Sequence, residues 1–274
     1  MARVSSVRLL ATNGHAGCSA EIMDALPNLE LISCFGGGVD AIDLGAAKER
    51  GIRVTNTQDV LSDAVAELAI GLILSLSRRI VDADRHIREG KWPNEGYPLT
   101  KELTGTTVGI LGLGRIGKEI AYSAQAFKMR VVYHGRMKQK FVPFPYYDDP
   151  EEMAHDIDWL VCAVPGDTST IGLIDQKIMK ALGAKGAIIN VGRGSLINEG
   201  AMIKLLKTGE LGGAALDVFE QEPRMSKELW SMSNVVLSPH QGSATEKTRW
   251  SMGDLVVGNL LAYRDGDPLI TPVV

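Results

Sequence analysis

The sequence predicts an α/β protein with two domains built on parallel sheets. Strand-like and helix-like segments alternate along most of the chain, which is typical of parallel sheets because each helix carries the chain back to the start of the next strand. The chain has 274 residues, more than one typical domain. A loop-like stretch at residues 89–105, with two prolines and three glycines, separates two alternating blocks.

The first block alternates strand and helix. Its strand-like and helix-like runs, in chain order, are residues 7–12, 19–26, 29–34, 43–50 and 52–56. Ser19 is a candidate N-cap for the first helix. Residues 63–88 contain no proline or turn cluster and predict one long helix, apolar first and charged later. Residues 243–266 predict an amphipathic terminal helix that packs back on this block.

The second block alternates more regularly. It predicts strands at 107–111, 130–134, 159–163, 187–191, 213–218 and 235–237, and helices at 115–127, 150–155, 176–182 and 199–207. We therefore assign residues 1–72 and 247–274 to one domain and residues 73–246 to the other.

Composition narrows the class of protein. Hydrophobic residues make up 45% of the chain and charged residues 23%, which is ordinary for a globular enzyme. A net charge of -4 argues against a nucleic-acid partner. Cys18, Cys34 and Cys162 lie far apart, so the sequence indicates neither a disulfide framework nor a metal site, and a reducing cytoplasm fits. The apolar runs at 7–11 and 64–76 are too short for export or a membrane span.

A glycine-rich motif follows the first strand of the second block. In "VGILGLGRIGKEIA" (108–121), Gly112, Gly114 and Gly117 have G-x-G-x-x-G spacing at the start of a helix. Glycines there allow a tight turn, the approach of a pyrophosphate and close helix packing, with phosphate at the helix N-terminus. The motif predicts a Rossmann-like dinucleotide site; the alternative is a glycine-rich turn without a ligand.

The next strand ends in an unusual way. An acidic residue that binds a ribose hydroxyl is expected about 20 residues after the motif, but Gly135 occupies that place and Arg136 and Lys138 follow. Without the carboxylate, and with two cations, the site attracts a 2′-phosphate, so NADP(H) is expected to be preferred and NAD(H) to remain possible. The alternative is a pair of solvated surface cations.

Three further segments carry a family resemblance. They are "IINVGRGSLIN" (188–198), "LDVFEQEP" (216–223) and "LSPHQGSAT" (237–245), which contain Arg193, Glu222 and His240. Together with "NTQDVLSDAVAELAIGLIL" (56–74) they resemble the D-isomer-specific 2-hydroxyacid dehydrogenase family, within it the glyoxylate/hydroxypyruvate reductases and plant hydroxyphenylpyruvate reductases. The resemblance covers nearly the whole chain.

The resemblance implies a Rossmann-like and a flavodoxin-like domain, a homodimer formed through the long helix and the loop around Trp92, and an active site in the cleft between the domains. It implies NADPH-preferring reduction of small 2-keto acids, such as glyoxylate and hydroxypyruvate, to D-2-hydroxy acids. The implied cofactor-binding residues are Gly112, Leu113, Gly114, Arg115, Ile116, Gly117, Gly135, Arg136, Lys138, Pro165, Val191, Asp217 and Gly242. The implied substrate-binding residues are Gly37, Gly38, Arg193 and His240.

The implied catalytic residues have a physical rationale. Reduction of a 2-keto acid needs a polarised carbonyl, a neutralised carboxylate and a proton for the oxygen. Arg193 has a fixed fork of donors for the first two tasks, His240 can give the proton, and Glu222 can orient the imidazole and favour its charged form. Taken singly, each residue is as easily structural. Asp217, implied to accept from the nicotinamide amide, could equally cap a turn at a strand end.

Two features depart from the family pattern. Gly36, Gly37 and Gly38 are consecutive where a bulkier residue at Gly37 is commoner, so this anion-binding turn is expected to be more mobile, unless it is a plain turn. About forty residues that usually precede the first strand are absent, which would remove an interior strand of the first domain and leave unpaired edges between its neighbours. A dinucleotide-sensing, protein-binding scaffold of the corepressor type is therefore the alternative function, although the intact Arg193, Glu222 and His240 set favours an enzyme.

Overall fold

The structure is a computed structural model, and it describes residues 5–274. These residues form ten strands and nine α-helices. The strands are β1 (Leu9–Asn13), β2 (Leu31–Phe35), β3 (Arg53–Thr55), β4 (Thr107–Leu111), β5 (Arg130–His134), β6 (Tyr146–Tyr147), β7 (Trp159–Cys162), β8 (Ala187–Asn190), β9 (Gly213–Leu216) and β10 (Val235–Leu237). The helices are α1 (Ala20–Ala25), α2 (Leu44–Glu49), α3 (Ser62–Ser77), α4 (Ile80–Arg88), α5 (Arg115–Ala126), α6 (Pro150–His155), α7 (Gln176–Leu182), α8 (Glu199–Thr208) and α9 (Glu246–Asp265).

The chain divides into two compact units. Unit 1 contains residues up to Ala64 together with Ser243–Val274, and unit 2 contains Val65–Gly242. Every pairing between strands is parallel in both units, so the predicted α/β class with parallel sheets is confirmed. In residues 5–274 no helix is both long and apolar enough to cross a bilayer.

Unit 1 is built on a three-stranded sheet in the order β1-β2-β3. Leu31, Ile32 and Cys34 of β2 are buried, as expected for the central strand of a parallel sheet covered on both faces. As predicted, the terminal helix α9 packs on this sheet: the buried Ser33 hydroxyl donates to the Val256 carbonyl at 3.4 Å. The chain end then adds to β3, where the Val273 amide donates to the Val54 carbonyl at 2.7 Å.

The interruption that we expected inside this first sheet is not present among the described strands. β1 pairs directly with β2 over five residues, and β2 pairs with β3 over three. The three strands therefore form one continuous sheet with β2 at its centre.

Unit 2 is built on a seven-stranded sheet in the order β10-β9-β8-β7-β4-β5-β6. The chain proceeds outward from β4 to β5 and β6, then returns to the other side of β4 with β7. The order of the strands therefore reverses between β4 and β7, and ligands of open α/β sheets bind at the carboxyl ends of the strands at such a point. The two-residue edge strand β6 was not predicted, since prolines at 143 and 145 indicated a loop.

The single long helix predicted over residues 63–88 is wrong. The chain forms α3 and α4, and Arg79 between them has a left-handed backbone with φ of 50°. That conformation is costly for a residue with a Cβ. Arg79 is held by an ion pair to Asp82 at 2.6 Å and by the Tyr97 ring, 5.6 Å from its guanidinium carbon. These contacts include a residue 18 positions later, so the local sequence did not reveal the break.

Ser19 is the N-cap residue of α1, as the sequence predicted. Ser19 occupies the position before α1, but its side chain makes no capping hydrogen bond. Its hydroxyl donates to the Glu21 carboxylate at 2.6 Å.

Candidate active site

All seven strands of unit 2 end side by side. The register pairs their last residues in one row, which comprises Tyr147, His134, Leu111, Cys162, Asn190, Leu216 and Leu237 in sheet order. The residues that follow each strand therefore meet at one edge of the sheet. All candidate cofactor and catalytic residues of this unit lie in the segments that leave this edge.

The glycine-rich loop leaves β4 and enters α5. Gly112 has φ of +96°, and a Cβ there would lie 2.5 Å from Val164 Cγ1. A Cβ at Gly117 would lie 2.1 Å from the Gly112 carbonyl oxygen, whereas a Cβ at Gly114 would meet nothing within 4 Å. Gly112 and Gly117 are thus required by packing inside the protein, and Gly114 borders open space.

This difference predicts different outcomes for two alanine substitutions. Gly117→Ala forces a backbone shift and is expected to lower the free energy of unfolding by about 1–3 kcal/mol. Gly114→Ala keeps φ at −79°, so stability should change by less than about 0.5 kcal/mol, while the dissociation constant for NADPH rises about tenfold or more because the methyl group fills the phosphate space. Thermal melting and fluorescence titration check both. A Gly114→Ala variant with unchanged NADPH affinity would mean that phosphate does not approach this loop.

Gly135 and the two cations follow β5. A Cβ at Gly135 would meet nothing within 4 Å, and Arg136 and Lys138 are both exposed. Across the edge, hydrogen bonds from Ser169 hold the pKa of Asp167 below its usual range, and the charge of Arg136 contributes to that lowering.

Arg193 lies in the loop after β8. The Asn190 side chain donates to the Arg193 carbonyl at 2.8 Å, and Arg193 Nη1 donates to the Gly192 carbonyl at 2.8 Å. A Cβ at Gly166 would lie 2.7 Å from Arg193 Cγ, so the arginine stem packs directly on the loop after β7. The half-buried guanidinium is thereby oriented from two neighbouring strands.

Glu222 and His240 form a hydrogen-bonded pair. His240 Nδ1 lies 2.7 Å from Glu222 Oε2, and the other carboxylate oxygen accepts from the Phe219 amide at 3.0 Å. The His240 side chain is 36% exposed and the Glu222 side chain is 21% exposed. Since an ionised carboxylate only accepts hydrogen bonds, the Nδ1 atom carries the proton and Nε2 is the atom that can exchange a proton with a ligand.

Asp217 organises the loop that contains His240. Its buried carboxylate accepts from the Ser238 hydroxyl, the Gln241 amide and the Gly242 amide at 2.6, 2.6 and 2.8 Å. His240 has a left-handed backbone, with φ of 53°, and its amide donates to the Asp217 carbonyl at 2.8 Å. Asp217 therefore fastens a turn at a strand end, which is the alternative role that the sequence left open.

The candidate substrate loop belongs to unit 1. Asn56 Nδ2 donates to the Gly37 carbonyl and Thr57 Oγ1 accepts from the Gly36 amide, both at 3.0 Å. Within residues 5–274 the amides of Gly37 and Gly38 donate to no protein acceptor, so they suit an anion. A Cβ at Gly37 would lie 3.1 Å from Leu61, so the glycine fits a crowded place. Sequence reasoning missed Asn56 and Thr57, whose side chains fasten this turn.

Comparison with known proteins identifies the family. Residues 70–242 match the family described as D-isomer specific 2-hydroxyacid dehydrogenase, NAD binding domain. The chain belongs to the D-isomer-specific 2-hydroxyacid dehydrogenase family. The predicted resemblance is thus confirmed, and the glycine-rich loop, Arg193, Glu222 and His240 all lie within the matched part of this dehydrogenase.

Several relatives of this dehydrogenase are named as reductases. It is 51% identical over 270 residues to glyoxylate/hydroxypyruvate reductase A of Arabidopsis thaliana, covering 98% of this chain and 86% of the relative. It is 47% identical over 272 residues to hydroxyphenylpyruvate reductase of Plectranthus scutellarioides, covering 99% and 87%. Its structure superposes with a TM-score of 0.95, at 42% identity, on the NADPH-dependent glyoxylate/hydroxypyruvate reductase of Sinorhizobium meliloti in complex with NADP and malonate, covering 100% and 86%.

The second unit of this dehydrogenase fits a dinucleotide. Gly114 is the N-cap residue of α5, and it has no side chain that could accept a hydrogen bond from the first amides of the helix. The same glycine leaves the open space noted above. Amides of a helix N-terminus beside an open glycine suit a pyrophosphate. The chain's own residues therefore fit the group that the family name specifies.

Proposed function

We propose that this protein is an NADPH-preferring reductase that converts small 2-keto acids, such as glyoxylate and hydroxypyruvate, to D-2-hydroxy acids. The observation that carries the proposal is the His240–Glu222 pair at 2.7 Å, in a segment leaving the same sheet edge as the glycine-rich loop. A paired histidine at the edge where a nicotinamide cofactor binds is suited to proton transfer that accompanies hydride transfer. The reductase names of the relatives support the substrate class.

When bound, NADPH would supply the hydride that reduces the keto carbon. His240 would protonate the keto oxygen from Nε2, while Glu222 holds the ring through Nδ1. Arg193 binds the substrate carboxylate and polarises the keto group with its planar fork of donors. We also assign Gly37 and Gly38 of unit 1 to substrate binding, because amides in a turn bind anions without a charged side chain.

The cofactor preference follows from the end of β5. Arg136 and Lys138 attract a 2′-phosphate, and no carboxylate at Gly135 repels it or accepts from a ribose hydroxyl. The relative from Sinorhizobium meliloti, which is named as NADPH-dependent and contains NADP, supports this assignment. We assign Leu113, Arg115, Ile116, Pro165, Val191, Asp217 and Gly242 to the same cofactor site, and NADH as a weaker cofactor.

We assign unit 2 to cofactor binding, unit 1 to substrate binding, and the protein to a homodimer. Unit 2 exposes large apolar side chains on α4 and nearby segments, namely Ile80, Val81, Ile87, Trp92, Leu99 and Trp230. Such a concentration of apolar surface is typical of a protein interface. Cys18, Cys34 and Cys162 are all buried. We assign the protein to a reducing cytoplasm.

The alternative function of a dinucleotide-sensing scaffold is not supported. The relatives quoted above are all named as reductases. The geometry of His240 and Glu222 also gives the protein a proton donor that a scaffold does not need.

The stereochemistry of the product tests the reaction. With NADPH and hydroxypyruvate we expect D-glycerate in large excess over the L-isomer, measured by chiral chromatography after the cofactor is consumed. A series of 2-keto acids of increasing size should show rates that fall with size, because Leu61 lies against Gly37 and limits the room at the substrate loop. Formation of L-glycerate, or of no glycerate, would contradict the proposal.

A further inference from the structure

The segment after β5, residues 135–139, is fastened at both ends; we call it the cation loop because Arg136 and Lys138 lie on it. At its start the Tyr146 hydroxyl donates to the Gly135 carbonyl at 3.1 Å. At its end the backbone amide of Gln139 donates to the Tyr133 hydroxyl at 2.7 Å. Between these two ends Arg136, Met137 and Lys138 are exposed.

A third contact joins the cation loop to the glycine-rich loop. Gln139 Nε2 donates to the Leu113 carbonyl at 2.6 Å, and Leu113 lies between Gly112 and Gly114. Leu113 and Gln139 are 26 residues apart, so the bond joins two segments that leave different strands. The Gln139 side chain is therefore a direct link between the segment with the two cations and the segment that fits a pyrophosphate.

The two tyrosines that hold the cation loop pack within the sheet. The Tyr133 side chain, the acceptor for the Gln139 amide, is 1% exposed within β5. The Tyr133 and Tyr146 rings pack with centroids 5.3 Å apart, and the His134 ring stacks on Tyr146 at 6.4 Å. Both hydroxyl groups that hold the cation loop thus come from side chains packed against one another on β5 and β6.

We propose that Gln139 is a positioning residue that sets the preference for NADPH over NADH, an inference that rests on the proposed cofactor preference. The 2′-phosphate and the pyrophosphate of NADPH are joined covalently at a fixed range of separations. A protein that binds both groups gains most when its two phosphate-binding segments are held in register before binding. NADH has no 2′-phosphate, so its binding depends on the glycine-rich loop and not on the link.

A purely structural role for Gln139 predicts something else. If the Gln139 side chain only stabilised the glycine-rich loop, its loss would weaken the binding of NADPH and NADH equally. That loss of affinity would not depend on Arg136 and Lys138. A positioning role acts through the two cations. The effect of the substitution should therefore disappear when the cations are removed.

The test is direct binding of NADPH and NADH to the intact protein, measured by fluorescence titration. Gln139→Met keeps the length of the side chain and removes the donor. We expect its dissociation constant for NADPH to rise about fivefold and that for NADH to change by less than about twofold. In the Arg136→Ala/Lys138→Ala background the same substitution should change both constants by less than about twofold.

Two further variants and the wild type complete the test. Gln125→Met, at an exposed position of α5, is the matched control and should leave both constants and the melting temperature unchanged. If Gln139→Met fails to fold, Tyr133→Phe removes the acceptor for the Gln139 amide and should shift selectivity in the same direction. An equal loss for both cofactors, or a loss that persists without Arg136 and Lys138, would overturn the inference. A wild-type protein that binds NADH as tightly as NADPH would instead overturn the proposed cofactor preference.

Discussion

Replacing His240 with glutamine is expected to lower kcat for glyoxylate reduction by about 10²–10⁴-fold, the usual contribution of a positioned proton donor. Glutamine can still donate to Glu222, but it cannot deliver a proton near neutral pH. NADPH binding should be retained, because the glycine-rich loop and the cation loop are untouched. Steady-state kinetics and direct titration of NADPH measure the two quantities on the same sample.

The control for this substitution is His155→Gln, which makes the same exchange at an exposed position of α6 and should leave kcat unchanged. Both variants should have melting temperatures close to that of the wild type. Glutamine and histidine at position 240 must both adopt the same left-handed backbone conformation, and His155 is exposed. An unchanged kcat in His240→Gln would remove this residue from the mechanism.

Exchanging the end of β5 is expected to reverse the cofactor preference. The wild type should favour NADPH over NADH by about tenfold or more in kcat/KM, since a charge-assisted contact contributes about 1.5–3 kcal/mol. In Gly135→Asp/Arg136→Ala the new carboxylate accepts from the ribose hydroxyls and repels a 2′-phosphate. The structure has room for it, because a Cβ at Gly135 meets nothing within 4 Å and the glycine has no left-handed φ.

The dependence of the cofactor preference on salt concentration is a second test of the interaction between Arg136 and the 2′-phosphate. The wild-type preference for NADPH should weaken as ionic strength rises, because the contact between Arg136 and phosphate is exposed and screened. Arg130→Ala, an exposed charge at the opposite end of β5, is the control and should leave the ratio unchanged. Equal use of NADH and NADPH by the wild type would make Arg136 an ordinary surface residue.

Local sequence patterns predicted most of the sheet. β4 and β5 have the predicted bounds, because each is a run rich in β-branched residues that is followed directly by a glycine. The break at Arg79 could not be predicted, since it depends on Asp82 and on Tyr97, which lies beyond the following helix. The edge strand β6 was missed for a related reason: its pairing with β5 comes from tertiary packing and not from its two-residue sequence, which follows two prolines.

The candidate site shows a similar division. Glycine spacing and family segments identified the loops, but they did not reveal which side chains hold those loops in place. Gln139 looks like an ordinary polar loop residue in sequence, and its role depends on a carbonyl 26 positions earlier. The three donors to Asp217 likewise come from the segment after β10, so the contact exists only once β9 and β10 are neighbours.

Oxidation of NADPH on addition of glyoxylate or hydroxypyruvate tests the central claim most directly. The same preparation should first be titrated with NADPH to show that the cofactor site is formed. We then expect sustained turnover with NADPH, slower turnover with NADH, and loss of both rates in His240→Gln. Tight binding of NADPH with no turnover on either keto acid would contradict the proposed reductase and would favour a protein that senses the cofactor without using it.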